Sequence, residues 1–174
     1  QKALQLGYLG VEVDVVVTKD GVPVLSHDPF LTQGYVSHAD GQAIEDKILV
    51  CDLTLGQLQQ DFKFGLDPED PEGSTSDSVG PTTLEDVLVA LQKYPGVLLY
   101  LDVKIERAEL KMSRTPADVA KAIFDLWRTY ALPNKLWAEA GDKEIADAYL
   151  AAGAGIDFEM ALSFPRFHSD ENDI

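Results

Sequence analysis

Three observations predict an α/β fold whose parallel strands are covered by helices. From Pro81 onward the apolar periodicity alternates helix, strand, helix, strand, helix, strand with short links. The strand segments read apolar on both faces, as parallel strands beneath helices do. Ahead of this alternation, Val11–Thr18 is β-branched almost throughout and reads as one more strand. A (β/α)8 barrel typically needs about 250 residues, so 174 residues would hold five or six of its units. A doubly wound sheet fits the length better but lacks a Gly-rich phosphate loop after its first strand. Pattern and length leave both architectures open.

In chain order, residues 1–7 read as the last turns of a helix stopped by Gly7. The Val11–Thr18 strand is followed by a turn over Lys19-Asp20-Gly21 and a short strand at Val22–Ser26, ended by Asp28-Pro29 because proline cannot donate to a ladder. Leu31–Ile48 is polar with turn signals at Gly34 and Asp40-Gly41, which predicts a loop or a small hairpin. Thr54-Leu55-Gly56-Gln57 has capping-box spacing and opens a short helix carrying Leu55 and Leu58. Residues 67–80 hold Asp, Glu, Pro, Gly, Ser and Thr with almost nothing apolar, the composition of an acidic, solvated and flexible loop.

Thr82-Thr83-Leu84-Glu85 reads as a second capping box, and Leu84, Val87, Leu88 and Leu91 recur at helical spacing until Pro95-Gly96. Val97–Ile105 is a strand interrupted by Asp102 and Lys104. Thr115 with Pro116 at the first helical position opens a helix bearing Val119, Ile123, Phe124 and Trp127 on one face. Lys135–Ala140 is a strand, Asp142–Ala152 a helix ended by Gly153, and Gly155–Leu162 a strand. The tail from Ser163 is polar and carries no periodicity.

Thirty acidic against fourteen basic residues leave a net charge of −16, a field that repels phosphate backbones and argues against a nucleic-acid partner. A small phosphate substrate remains compatible, because a bound cation reverses the local sign. The single cysteine, Cys51, can form neither an internal disulfide nor a cysteine metal site, and reads as a small half-buried hydrophobe. No apolar run reaches the length of a membrane span, and no signal-peptide pattern opens the chain.

The residues that could carry chemistry sit on or beside strands. Glu12 and Asp14 are two apart, so in a strand they project side by side. Buried carboxylates must be paired or metal-bound, but valines at 11, 13, 15 and 17 on the other face also permit a half-exposed strand with both acids in water. Oxygen ligands without cysteine favour Mg²⁺ or Ca²⁺ over zinc. His27 ends the second strand, where catalytic groups of α/β proteins gather; His38 and His168 lie in polar sequence and carry no such argument. Tyr100, Asp102, Lys104 and Glu106 share one face of their strand. Asp102 and Lys104 are either a plain ion pair or a third carboxylate with a cation for a phosphate oxygen. Glu139 and Glu159 are weaker candidates of the same kind.

Taken together, Glu12-x-Asp14, the run Thr18-Lys-Asp-Gly-Val-Pro-Val-Leu-Ser-His27-Asp28, Asp52-Leu-Thr-Leu-Gly-Gln-Leu58, Pro81-Thr-Thr-Leu-Glu-Asp-Val-Leu88 and Leu101-Asp102-Val103-Lys104 resemble the glycerophosphodiester phosphodiesterase family, itself related to the phosphatidylinositol-phosphodiesterase-like TIM barrels. The motifs occur in the family's order over about residues 1–106. The resemblance implies a TIM (β/α)8 barrel, incomplete in this chain with about five or six strands present. It implies a divalent cation, Mg²⁺ or Ca²⁺, held by Glu12, Asp14 and Asp102. It also implies that His27 is one of two acid/base histidines, and that Lys104 lies near the substrate phosphate. The expected reaction splits a small glycerophosphodiester into an alcohol and glycerol 3-phosphate.

The family's His-Arg-Gly strand would precede this chain's first strand, so residues 1–174 are expected to form a single domain lacking that strand and the last barrel strands, as an excerpt or a degenerate relative. Asp stands at 102 where the family usually has Glu. The shorter acid is similar to the sphingomyelinase D-like branch, so a phospholipase D- or sphingomyelinase D-like phosphodiesterase is an alternative. A non-catalytic barrel-like binding module without the first histidine is another.

Overall fold

The structure, a computed structural model, describes residues 2–32, 35–64, 80–104 and 114–163, and of residues 2 and 3 the backbone alone. The sequence expectations for 67–79, Ile105, Glu106, His168 and the residues after Ser163 lie outside the described residues.

A one-turn helix, α1 (Lys2–Gln5), ends near Gly7, whose φ of +78° is a left-handed backbone that glycine adopts without strain. Strand β1 (Gly10–Val17) turns over Lys19–Gly21 into β2 (Pro23–Leu25), which lies antiparallel to it with Val15 opposite Leu25. Gly21 at φ +86° makes that turn possible. The chain then leaves the sheet for β3 (Val36–His38), a 3-10 turn at Val50–Asp52, helix α2 (Leu55–Asp61) and β4 (Phe62–Phe64). It returns through α3 (Leu84–Leu91), β5 (Leu98–Val103), α4 (Pro116–Tyr130), β6 (Leu136–Ala140), α5 (Lys143–Ala152) and β7 (Phe158–Leu162).

The main sheet has the order β2-β1-β5-β6-β7. Strands β1, β5, β6 and β7 are parallel, and each of β5, β6 and β7 follows a helix. This is the βα repeat of a barrel wall, with β2 as an antiparallel addition at one edge.

Local chemistry explains the helices. Thr54, Thr83 and Thr115 each accept a backbone N–H from the third helical residue, and Gln57, Asp86 and Asp118 bond back to the threonine N–H. The second box is thus Thr83 with Asp86, one residue beyond the expected Thr82 with Glu85, and the Thr82 carbonyl accepts the Leu25 N–H. Asp142 caps α5 through the Ile145 N–H. Gly153 ends α5 for a packing reason rather than a dihedral one. A Cβ there would come within 2.5 Å of Phe158 Cε1 and 2.8 Å of the Tyr149 carbonyl oxygen.

Two apolar clusters result. Val15, Val17, Leu99, Leu101, Val103, Leu136, Ala138 and Ala140 point to one face of the sheet, where they meet Leu84, Leu88 and Leu91 of α3, Val119, Ile123, Phe124 and Trp127 of α4, and Tyr149 of α5. A second cluster, with Val16, Val24, Leu31, Val36, Ile44, Val50, Leu58 and Phe62, lies beneath the excursion from Leu31 to Phe64. Cys51 is fully buried rather than half-buried.

Within Leu31–Ile48 a small local turn forms over Asp40-Gly41, with Ser37 bridged to Ala43, and β3 pairs as well with β4, Ser37 opposite Lys63, across an intervening helix. One expectation changes: the parallel strands are not apolar on both faces. The residues opposite the helices are Glu12 and Asp14 on β1, Tyr100 and Asp102 on β5, Trp137 and Glu139 on β6, and Glu159 on β7, none of them fully buried. Helices cover one face of this wall; the other is the polar face on which the site stands.

Candidate functional site

The parallel register brings the candidate acids together. Glu12 lies opposite Tyr100 and Asp14 opposite Asp102, so the pair on β1 and the single acid on β5 project from neighbouring strands to one face. Ligand oxygens of Glu12, Asp14 and Asp102 lie within 4.8 Å of one another, a spacing that could hold a metal ion. All three donors are hard oxygens with no sulfur or imidazole among them, a set suited to a hard divalent cation.

Lys104 completes the group. Its backbone N–H donates to the Val15 carbonyl at 2.9 Å, extending the β1–β5 ladder one residue past Val103. Its Nζ lies 2.8 Å from Asp14 Oδ1 and 2.6 Å from Asp102 Oδ2. The ion pair of the plainer reading forms, and it forms inside the acidic cluster. Partial desolvation pulls the ammonium pKa down, but the hydrogen bonds and charges of Asp102 and Asp14 outweigh it and hold the pKa above its ordinary value. Desolvation, then the negative charges of Asp14 and Asp102, raise the Glu12 carboxyl above the usual range against the pull of Lys104 and His27.

His27 reaches the same neighbourhood through β2. The Ser26 N–H donates to the Asp14 carbonyl at 3.2 Å, which places His27 one residue past the last contact with β1. Its ring is exposed, with Nδ1 3.2 Å from Asp28 Oδ1. Asp28 is itself held by the Thr32 hydroxyl, which donates to Oδ2 at 2.6 Å. With Nδ1 engaged by Asp28, a proton exchanged at this ring would pass through Nε2.

Glu139 and Glu159 share the polar face but do not join the cluster of three. Glu139 Oε2 accepts from the Tyr100 hydroxyl at 2.8 Å, and Glu159 lies opposite Trp137 on β7. His38 is elsewhere, its ring against Phe62 in the small sheet. Trp127 is a core residue.

Trp137 and Arg114 escaped the sequence reading, and so did the contact between Tyr100 and Glu139. Tyr100 meets Glu139 across a strand pair, 39 residues apart, and Trp137 lies with its ring centroid 6.4 Å from that of Tyr100. The alternation of β6 could have placed Trp137 on the polar face. Arg114 donates from Nε to the Thr18 carbonyl at 3.1 Å and from a terminal nitrogen to the Lys19 carbonyl. It thereby fastens the start of α4 to the turn between β1 and β2, a contact 96 residues apart that no local pattern announces.

The profile of the glycerophosphoryl diester phosphodiesterase family matches residues 1–145. The chain belongs to that family. Among curated proteins no sequence matches it. Solved structures do. A crystal structure described as a glycerophosphoryl diester phosphodiesterase of Silicibacter pomeroyi DSS-3 is similar at TM-score 0.76 and 20% identity, over 92% of this chain and 56% of the other. The Oleispira antarctica phosphodiesterase, solved in complex with the product sn-glycerol-3-phosphate, gives 0.63 and 19% over 92% and 56%. A glycerophosphodiester phosphodiesterase of Parabacteroides distasonis gives 0.61 and 18% over 92% and 54%. At these identities the likeness shows the fold, and the wall of βα units is part of a TIM barrel. The chain spans about half the length of these solved relatives.

Proposed function

We propose that this member of the family hydrolyses glycerophosphodiesters to an alcohol and glycerol 3-phosphate in a cation-dependent reaction. The observation that carries the reading is the meeting of Glu12, Asp14 and Asp102 within 4.8 Å on the polar face of the sheet. The single charge of Lys104 offsets only part of the charge of three carboxylates that close. In this reading they hold Mg²⁺ or Ca²⁺, which when bound polarises the phosphoryl oxygens and offsets their charge.

The remaining roles fall to the chain's own groups. Lys104, with three donors on a flexible stem, contacts a non-bridging phosphate oxygen. His27 moves a proton at Nε2, with Asp28 holding the ring by Nδ1. Family membership and the glycerol 3-phosphate bound by the Oleispira antarctica neighbour support this substrate class.

The test is release of glycerol 3-phosphate from glycerophosphocholine by the full-length protein, with Mg²⁺, Ca²⁺ or EDTA. Release should stop with EDTA and return with the cation, and His27→Ala should lower turnover by roughly 10²–10⁴-fold. Absence of any cation-dependent release overturns the reading in favour of a binding module. Asp102, where a longer acid is expected, favours a second reading on lysolipids or sphingomyelin. Release of ceramide phosphate from sphingomyelin, or of lysophosphatidate from lysophosphatidylcholine, each with choline as the other product, would establish it.

A further inference from the structure

Lys104 touches the very acids that are read as cation ligands. Its main chain is fixed by the bond to the Val15 carbonyl, while its side chain turns Nζ onto Asp14 Oδ1 at 2.8 Å and Asp102 Oδ2 at 2.6 Å. Among the described residues no other lysine or arginine contacts two carboxylates. Those two acids stand on different strands, so the ammonium also ties β1 to β5 at the site.

A divalent cation seated between Glu12, Asp14 and Asp102 would draw on the same small set of oxygens. An ammonium and a doubly charged ion cannot share those oxygens at contact distance without strong repulsion. Lysine is suited to yield. It is a point charge on four rotatable carbons, with no planar fork to hold it in register. A phosphate bound at the cation offers it anionic oxygens in exchange.

We propose that Lys104 is exchanged between two sets of partners. It bonds Asp14 and Asp102 until a divalent cation takes their oxygens, and it then turns its ammonium to an anionic phosphate oxygen. Cation binding thus creates the phosphate contact, and the two ligands bind in an ordered, mutually supporting way. The inference rests on the reading of Glu12, Asp14 and Asp102 as cation ligands. The opposite arrangement, in which Lys104 stays on the outer oxygens and orients the acids for the metal, predicts effects of opposite sign.

The test is calorimetric titration of the full-length protein with Mg²⁺ or Ca²⁺ in the absence of substrate, comparing wild type, Lys104→Met and Lys121→Met. Lys121 lies on the exposed surface of α4, paired with Asp125, and controls for the loss of one charge. Lys104→Met should bind the cation roughly tenfold more tightly or better, and Lys121→Met about as wild type. In wild type, acetylation of Lys104 read by mass spectrometry should rise several-fold on saturation with cation and fall again with inorganic phosphate. This second measurement needs no variant to fold. Unchanged or weaker binding by Lys104→Met, or labelling of Lys104 indifferent to the cation, overturns the exchange and leaves the metal reading standing. Absence of cation binding by the wild-type protein overturns both.

Discussion

Tyr100 shows how one side chain reports on its neighbourhood. Desolvation, its hydrogen bond to Glu139, and the charges of Glu139, Asp102 and Glu12 push its phenol up to about 12. The folded state therefore favours the protonated phenol. Its contribution to stability is full below the ordinary tyrosine pKa of 10.0 and is lost as pH rises through about 12. Tyr100→Phe should flatten the fall in melting temperature between those pH values; an equally steep fall in the variant would show that Glu139 does not hold the phenol. At this scale the candidate site was largely legible. Strand alternation puts Glu12 beside Asp14, and Asp102 beside Lys104, each pair on one face of its own strand; it does not place His27, which lies beyond the end of β2. The Tyr100–Glu139 bond was not, because its partners are 39 residues apart and meet only through the β5–β6 register.

Among the elements, α5 and its exit decide how tightly the last repeat closes. Gly153 has no room for a methyl group: the carbonyl oxygen of Tyr149 and the rings of Phe158 and Phe124 surround it. Its φ of −82° is open to any residue, so the constraint is steric alone. Gly153→Ala should destabilise the protein by about 1–3 kcal/mol in urea unfolding, and a neutral result would mean that β7 can shift away from α5. The helices themselves were readable because threonine caps are local: Thr54 and Thr115 stand where their spacing put them, and the second cap is Thr83, one residue beyond Thr82. The pairing of β3 with β4 was not readable. Three-residue strands carry too few alternations to declare a partner, and theirs lies beyond a helix.

At the scale of the whole molecule, charge and layering set the behaviour. A net charge of −16 makes the folded chain repel itself. Raising sodium chloride from low to physiological concentration in EDTA should stabilise it by about 1 kcal/mol, which is ~2–4 °C for a chain of this size. No response would mean that the ion pairs already offset the excess. The sequence by itself determined the α/β alternation, the strand that bears Glu12 and Asp14, and the caps that start the helices, because each depends on residues within one or two turns of one another. Only the tertiary structure decided that β5 lies beside β1 with Asp102 opposite Asp14, that the helices cover one face and leave the other polar, and that Lys104 bridges the two acids. Those outcomes depend on strand order and register, which are set by packing α3, α4 and α5 against one side of the sheet. Glu12-x-Asp14 is a pair in any strand; it becomes a cluster of three because the chain returns eighty-odd residues later, in parallel and in register, to place Asp102 beside it.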